Sequence, residues 1–169
     1  MQMRLVPWLI VTFLLCGITE GQDQDAPTQI DQIEKLAEAA TKMVLYSLVP
    51  HSSKQTSTAH NIKGFPILGE AEITDKNEQK TLLKALARGA RESDRTVMLC
   101  FCPRHALHVE SANRSVTFAI CFQCLQVETQ VPDEIGGFPI SASPQAEFDA
   151  ALKRHNLPRS SESDLTNYF

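Results

Sequence analysis

Hydrophobic and polar positions change period several times along the chain, and each change marks an element. From Ile30 the apolar positions Ile33, Ala37 and Ala40 return at steps of three and four, with Leu36 beside them. That spacing predicts an amphipathic helix over about 30–41. The pattern then tightens into Met43–Val49, rich in β-branched and aromatic residues and halted by Pro50, which predicts a strand. His51–Lys63 is polar and aperiodic and reads as a loop. Phe65–Ile73 predicts a second strand, with Gly69 a place for a bulge. Asp75 followed by Glu78 has the form of a capping box. The helix it opens sets Leu82, Leu83, Leu86 and Ala90 on one face and Lys80, Lys84, Arg88 and Arg91 on a wet face, while Gly89 weakens its last turns.

The second half is dominated by extended patterns. Thr96–Cys102 is a strongly apolar run stopped by Pro103 and predicts a strand, and Ala106–Glu110 continues extended beyond the break. Ser111–Arg114 is turn-like. Val116, Phe118, Ile120 and Phe122 then alternate with Ser115, Thr117, Ala119 and Cys121, the period of a half-buried strand. Facing Leu107 with Phe118 and Val109 with Val116 places the hairpin turn at Ala112–Asn113 and His108 opposite Thr117. Val127–Val131 adds to the far end, Asp133–Gly137 reads as a turn, and Phe138–Ile140 as a short extended piece. Ser143 is placed to cap a last helix with Pro144 at its first position, its buried side formed by Ala146, Phe148, Ala151 and Leu152. Adjacent strands with helices set apart predict an α+β fold: a single domain over 30–158, a small antiparallel sheet with helices packed on one face. A flexible lead at 22–29 and a flexible tail at 159–169 would flank it.

The N-terminus changes the picture. One positive charge at Arg4 precedes an apolar run, Leu5–Cys16, that is too short for a membrane-spanning helix of about 20 residues. It fits the core of a secretory signal, and Thr19 and Gly21 supply small residues before a cut after Gly21. The expectation is a signal peptide over 1–21 and an exported protein, periplasmic or secreted, without stable membrane insertion after cleavage. Cys16 follows Leu15 rather than a small residue, so lipidation there is a poor fit. The net charge of −4 and the absence of a clustered basic run argue against a nucleic-acid partner.

Cleavage would leave Cys100, Cys102, Cys121 and Cys124, all within one short stretch around Pro103-Arg104-His105. An even number of cysteines in an exported chain favours disulfides. Four cysteines allow three full pairings, and the spacing does not choose among them. On the hairpin register, Cys102 faces Gln123 diagonal to Cys121, with Cys124 near Phe101 on the other face; a cystine between facing strands would staple the hairpin. A second reading is zinc, held by the four thiolates or by Cys100, His105, Cys121 and Cys124. Against it, zinc knuckles want small residues after the cysteines, and Leu125 follows Cys124. A third is redox chemistry at Cys121-Phe122-Gln123-Cys124, although no helix follows to lower a thiol pKa. No Gly-x-Ser-x-Gly elbow or phosphate-cradling glycine loop is present.

The segments LYSL at 45–48, CFCPRHALHV at 100–109, ICFQC at 120–124 and SPQAEFDAALKRHNLP at 143–158 resemble a family of uncharacterised exported bacterial proteins. Its members carry Cys-Phe-x-Pro-Arg-His-(Gly/Ala), then Ile-Cys-Phe-x-Cys, then a Ser-Pro-x-x-x-Phe helix. The resemblance covers about 43–158. The variable position of the first motif is often Asn, and here it is Cys102, which implies that Cys100, Cys121 and Cys124 belong to the shared pattern and Cys102 is an addition. The family brings no activity. The sequence therefore points to a non-catalytic binding or structural envelope component with no cofactor, its partner a protein or small molecule outside the cytoplasm. Arg104 and His105 are the binding candidates, because a cationic, imidazole-bearing loop is pinned beside cysteines. The alternative is a zinc site or a thiol-dependent enzyme.

Overall fold

The computed structural model describes residues 26–50, 60–131 and 134–160. The expected signal peptide, its cleavage point at Gly21, Cys16 and the final tail from 161 onward lie outside the described residues. Among the described residues, no helix is long and apolar enough to cross a membrane.

Helix α1 (Ala26–Ala39) begins inside the expected flexible lead and buries Ile33, Leu36 and Ala37. It runs straight into β1 (Ala40–Leu48), where Met43, Val44 and Leu45 are all buried in succession. A strand covered on both faces loses the polar alternation of a half-buried one, which is why its sequence is a continuous apolar run. The short β2 (Asn61–Ile62) and β3 (Phe65–Glu72) form a hairpin through Lys63 and Gly64, whose φ angles of 53° and 87° match the left-handed two-residue turns that suit twisted strands. The bulge expected near Gly69 is present: Ser47 pairs Gly69 but Leu48 pairs Ile67, leaving Leu68 extra.

Helix α2 (Lys76–Arg91) is capped by Asp75, whose carboxylate accepts the N–H groups of Asn77 and Glu78 at 2.7 and 2.8 Å. Glu78 does not reach back to complete the capping box. It accepts instead from Arg154 Nη2 at 2.7 Å and His155 Nε2 at 3.0 Å, tying α2 to the end of the last helix. His155 is thereby engaged at the helix end. Gly89 is also a contact point: a Cβ there would lie 2.6 Å from Pro144 Cγ and 2.7 Å from Ile140 Cγ1.

The hairpin of β4 (His105–Ser111) and β5 (Arg114–Cys121) has the register read from the sequence, with Leu107 opposite Phe118, Val109 opposite Val116 and His108 opposite Thr117. β6 (Gln126–Val131) and β7 (Glu134–Pro139) complete the sheet. Gly136 and Gly137, expected in a turn, are paired in β7, where a Cβ on Gly137 would meet the Val127 carbonyl oxygen at 2.6 Å. The order β2-β3-β1-β4-β5-β6-β7 is antiparallel throughout. Seven strands make a larger sheet than the small one expected, since the polar and glycine-bearing edge strands β2 and β7 carry little hydrophobic signal. The last helix, α3 (Gln145–Arg154), starts one residue later than read, with Pro144 at the cap and no side-chain capping bond; it buries Phe148, Ala151 and Leu152 while Ala146 is exposed.

Rungs Met43–Val109–Val116 and Leu45–Leu107–Phe118 join the buried residues of all three helices in one main core. A second, smaller core gathers Leu48, Ile62, Phe65, Ala106 and Ala119.

One expected strand is missing. Thr96–Cys102 forms no strand, and Val97, Met98 and Leu99 are exposed, Leu99 completely. Pro103 has no N–H to offer a ladder, and β5 ends at Cys121 in a tight turn, so the run is held by isolated bonds, such as Met98 N–H to the Cys124 carbonyl at 3.0 Å, and forms no ladder. The expected tail also departs from its reading at the start, since Ser160 is buried; just before it, Leu157 packs on the main core and Ser47 Oγ donates to the Pro158 carbonyl.

Candidate functional site

The period of β4 decides what His105 does. It shares its side of the strand with Leu107 and Val109, so its ring points inward and is 2% exposed. Phe122 and Phe148 meet it edge-on, with ring centroids at 5.4 and 6.0 Å. At its open edge, Nε2 lies 2.9 Å from Asp149 Oδ1, and Arg159 Nε forms an ion pair with the same oxygen at 3.0 Å. Burial between aromatic rings pushes the imidazole pKa down; Asp149 pulls it up without overturning this, and Arg159 and Arg104 push the same way as burial. The ring is thus neutral near pH 7, with Nε2–H donating to the carboxylate. Burial would raise the Asp149 pKa, but the bond from His105 and the Arg159 charge outweigh it and hold the carboxyl below its ordinary range.

Arg104, one residue earlier, is partly exposed. Its Nη1 donates to Gln123 Oε1 at 3.0 Å. Arg104 and Arg159, with Cys102, Gln123, Gln145 and His105, line a shallow open cleft of about 20 Å³. Sequence reading singled out Arg104 and His105 and missed Asp149, Arg159 and Gln145. Asp149 stands beside Phe148 on α3, the one signal that it faces the core rim, and Arg159 lies in what reads as tail.

The sulfur atoms gather behind this cleft. Cys121 and Cys124 are paired as a disulfide with Cα atoms 5.2 Å apart, closing the turn Phe122–Gln123 rather than stapling two facing strands as expected. The Cys124 N–H donates to Cys121 Sγ at 3.1 Å. Cys100 Sγ touches Cys124 Sγ at 3.3 Å. Cys102 stands apart, facing the cleft; partial burial raises its thiol pKa, the nearby Cys100 adds to this, and Arg104 opposes it. The thiol is therefore held protonated, the wrong direction for a nucleophile.

Zinc finds no support in this arrangement. Two of the four sulfurs are bonded to each other, His105 Nε2 is taken by Asp149, and among the described residues no three His, Cys, Asp or Glu side chains are disposed to hold a metal ion. Cys121 ends β5 and Cys124 lies in the turn that follows, so the pair is not at a helix start. Comparison of the chain with protein-family models, with curated proteins and with solved structures finds no match.

Proposed function

We propose that the protein is an exported, non-catalytic binding protein whose ligand seat is the Arg104–Arg159 cleft, and that the ligand is a small anion such as a carboxylate or phosphate compound. The observation that carries this reading is the pairing of two guanidinium groups, from Arg104 and Arg159, in one cleft with the side-chain amides of Gln123 and Gln145. The nearest carboxylate, Asp149, is already occupied by His105 and Arg159, so the cleft keeps a net positive charge on a chain whose total is −4. Guanidinium and amide side chains lining a small opening suit a planar or tetrahedral oxyanion. The neutral His105 serves as a rigid wall and holds Asp149 in place. In this reading the helices cover the Leu45–Leu107–Phe118 side of the sheet and leave the cleft, at the sheet end, open to solvent.

The test is titration of the protein with inorganic phosphate, sulfate and succinate, followed by nuclear magnetic resonance at low ionic strength. Millimolar binding that centres on Arg104 and Arg159 is the expected result. Arg104→Ala and Arg159→Ala should each weaken it at least tenfold, with the circular dichroism spectrum unchanged. Absence of saturable shifts around the cleft with all three anions overturns the reading. Export is tested by the mass of the mature chain, which should begin at Gln22.

A further inference from the structure

We propose that Cys100 is the point through which small-molecule thiols and disulfides reach the buried Cys121–Cys124 disulfide, so that the three cysteines form one thiol–disulfide exchange site. Cys121 and Cys124 are each about 1% exposed or less, which closes them to direct attack from solution. Cys100 is exposed, yet its sulfur is in contact with Cys124 Sγ at 3.3 Å. This proximity is held by the backbone: Met98 N–H donates to the Cys124 carbonyl at 3.0 Å, and Gln126 Nε2 donates to the Cys100 carbonyl at 2.9 Å. The irregular 96–102 segment is thus moored onto the turn that carries the disulfide.

The geometry also provides for the leaving group. When the Cys100 thiolate attacks Cys124 Sγ, the Cys100–Cys124 bond forms, the Cys121–Cys124 bond breaks, and the electron pair leaves on Cys121 Sγ. The Cys124 N–H already points at that sulfur from 3.1 Å and steadies the thiolate. This first step is an isomerisation and needs no oxidant or reductant. The Cys100 proton passes to solvent, and Cys121 regains one from it. The new disulfide has one exposed end, Cys100. An external thiolate attacks Cys100 Sγ, forming a mixed disulfide and releasing Cys124 as the thiolate. A second external thiolate then attacks the small-molecule sulfur of that mixed disulfide and frees Cys100. In sum, two thiols become one small-molecule disulfide, and the Cys121–Cys124 bond takes up two electrons and two protons; the reverse sequence oxidises the pair. Cys102, whose thiol burial keeps protonated, has no part in the relay. The inference stands apart from the anion reading, since none of its steps uses Arg104 or Arg159.

The test exposes the full chain, and its Cys100→Ser, Cys102→Ser and Cys121→Ser variants, to reduced glutathione under native conditions. Samples are quenched with an alkylating agent and mapped by peptide mass spectrometry. In the parent chain a Cys100–Cys124 disulfide and a Cys100–glutathione adduct should precede full reduction. Cys100→Ser should slow reduction of Cys121–Cys124 at least tenfold, while Cys102→Ser should match the parent. Cys121→Ser, treated with glutathione disulfide, should join Cys100 to Cys124. A Cys100→Ser variant that stays folded and is reduced at the parent rate overturns the proposal. So does a Cys121→Ser variant that pairs Cys124 with Cys102 or leaves Cys100 and Cys124 unpaired, an arm that decides the matter even where Cys100→Ser fails to fold.

Discussion

Acidification should destabilise this protein through one buried ring, in a window where its carboxylates are still ionised. His105 is 2% exposed between Phe122 and Phe148, and burial depresses its pKa from the ordinary 6.5. The unfolded chain therefore binds a proton near pH 6.5 that the folded chain refuses. A depressed folded-state pKa gives stability that is present above 6.5 and is lost as pH falls from there toward the folded value. One proton's difference corresponds to about 1.4 kcal/mol per pH unit. Between pH 7.5 and 5.5 the crossing of 6.5 leaves at most about one full unit of that slope, so His105 alone accounts for a loss of up to about 1.4 kcal/mol, reached in full when the folded ring stays neutral throughout. Asp149 and Glu78, whose pKa values are lowered, lose their contributions only further down, below the ordinary carboxylate range. Urea unfolding followed by circular dichroism, run at pH 7.5, 6.5 and 5.5 on the parent and on His105→Gln, measures the effect. The variant should start roughly 2–4 kcal/mol less stable, having lost ring packing and a buried hydrogen bond, and its profile should be flatter by up to about 1.4 kcal/mol. Subtracting one profile from the other removes what the remaining histidines contribute. Parallel profiles would show that His105 takes up its proton equally well in both states and would refute the reasoning.

Three further substitutions test the fold. Gly89→Ala places a methyl 2.6 Å from Pro144 Cγ and 2.7 Å from Ile140 Cγ1; overpacking of about 1–3 kcal/mol outweighs the helix-propensity gain of about 1 kcal/mol, so urea melts should show a net loss of about 1 kcal/mol. Asp75→Ala removes the acceptor for two N–H groups at the start of α2 and should cost about 1 kcal/mol by the same measurement. Leu99→Ser changes a side chain in full contact with water and should move stability by less than about 0.5 kcal/mol, whereas a larger loss would mean that the 96–102 segment is packed.

Local pattern carried the hairpin well. Alternation from Val116 to Ile120 and the turn residues at 112–113 suffice for its register, because a one-residue slip would turn every apolar side chain to the wrong face. The same kind of evidence misled at Thr96–Cys102. Seven residues of strand-forming composition do not make a strand unless a neighbour offers a continuous backbone edge, and Pro103 and the end of β5 withhold one. The edge strands β2 and β7 were hidden for the opposite reason, being short or glycine-bearing and built by partners rather than by propensity. Of the site, Arg104 and His105 stood out as a dense local motif. Asp149 and Arg159 did not, since their link to His105 spans three elements and exists only once α3 and residues 157–160 fold back onto β1. The sulfur arrangement was equally closed to reading: spacing permits several pairings, and only the moored 96–102 segment brings Cys100 rather than Cys102 to Cys124.

The covalent ring formed by Cys121 and Cys124 encloses just two residues, Phe122 and Gln123. A link so short removes little freedom from the denatured chain, about 2 kcal/mol on the loop-entropy scale. What keeps the architecture together is the hydrocarbon interior shared by three helices and a seven-stranded sheet. Opening that ring would loosen one corner while leaving the domain standing, so the molecule can change its thiol state without passing through an unfolded form.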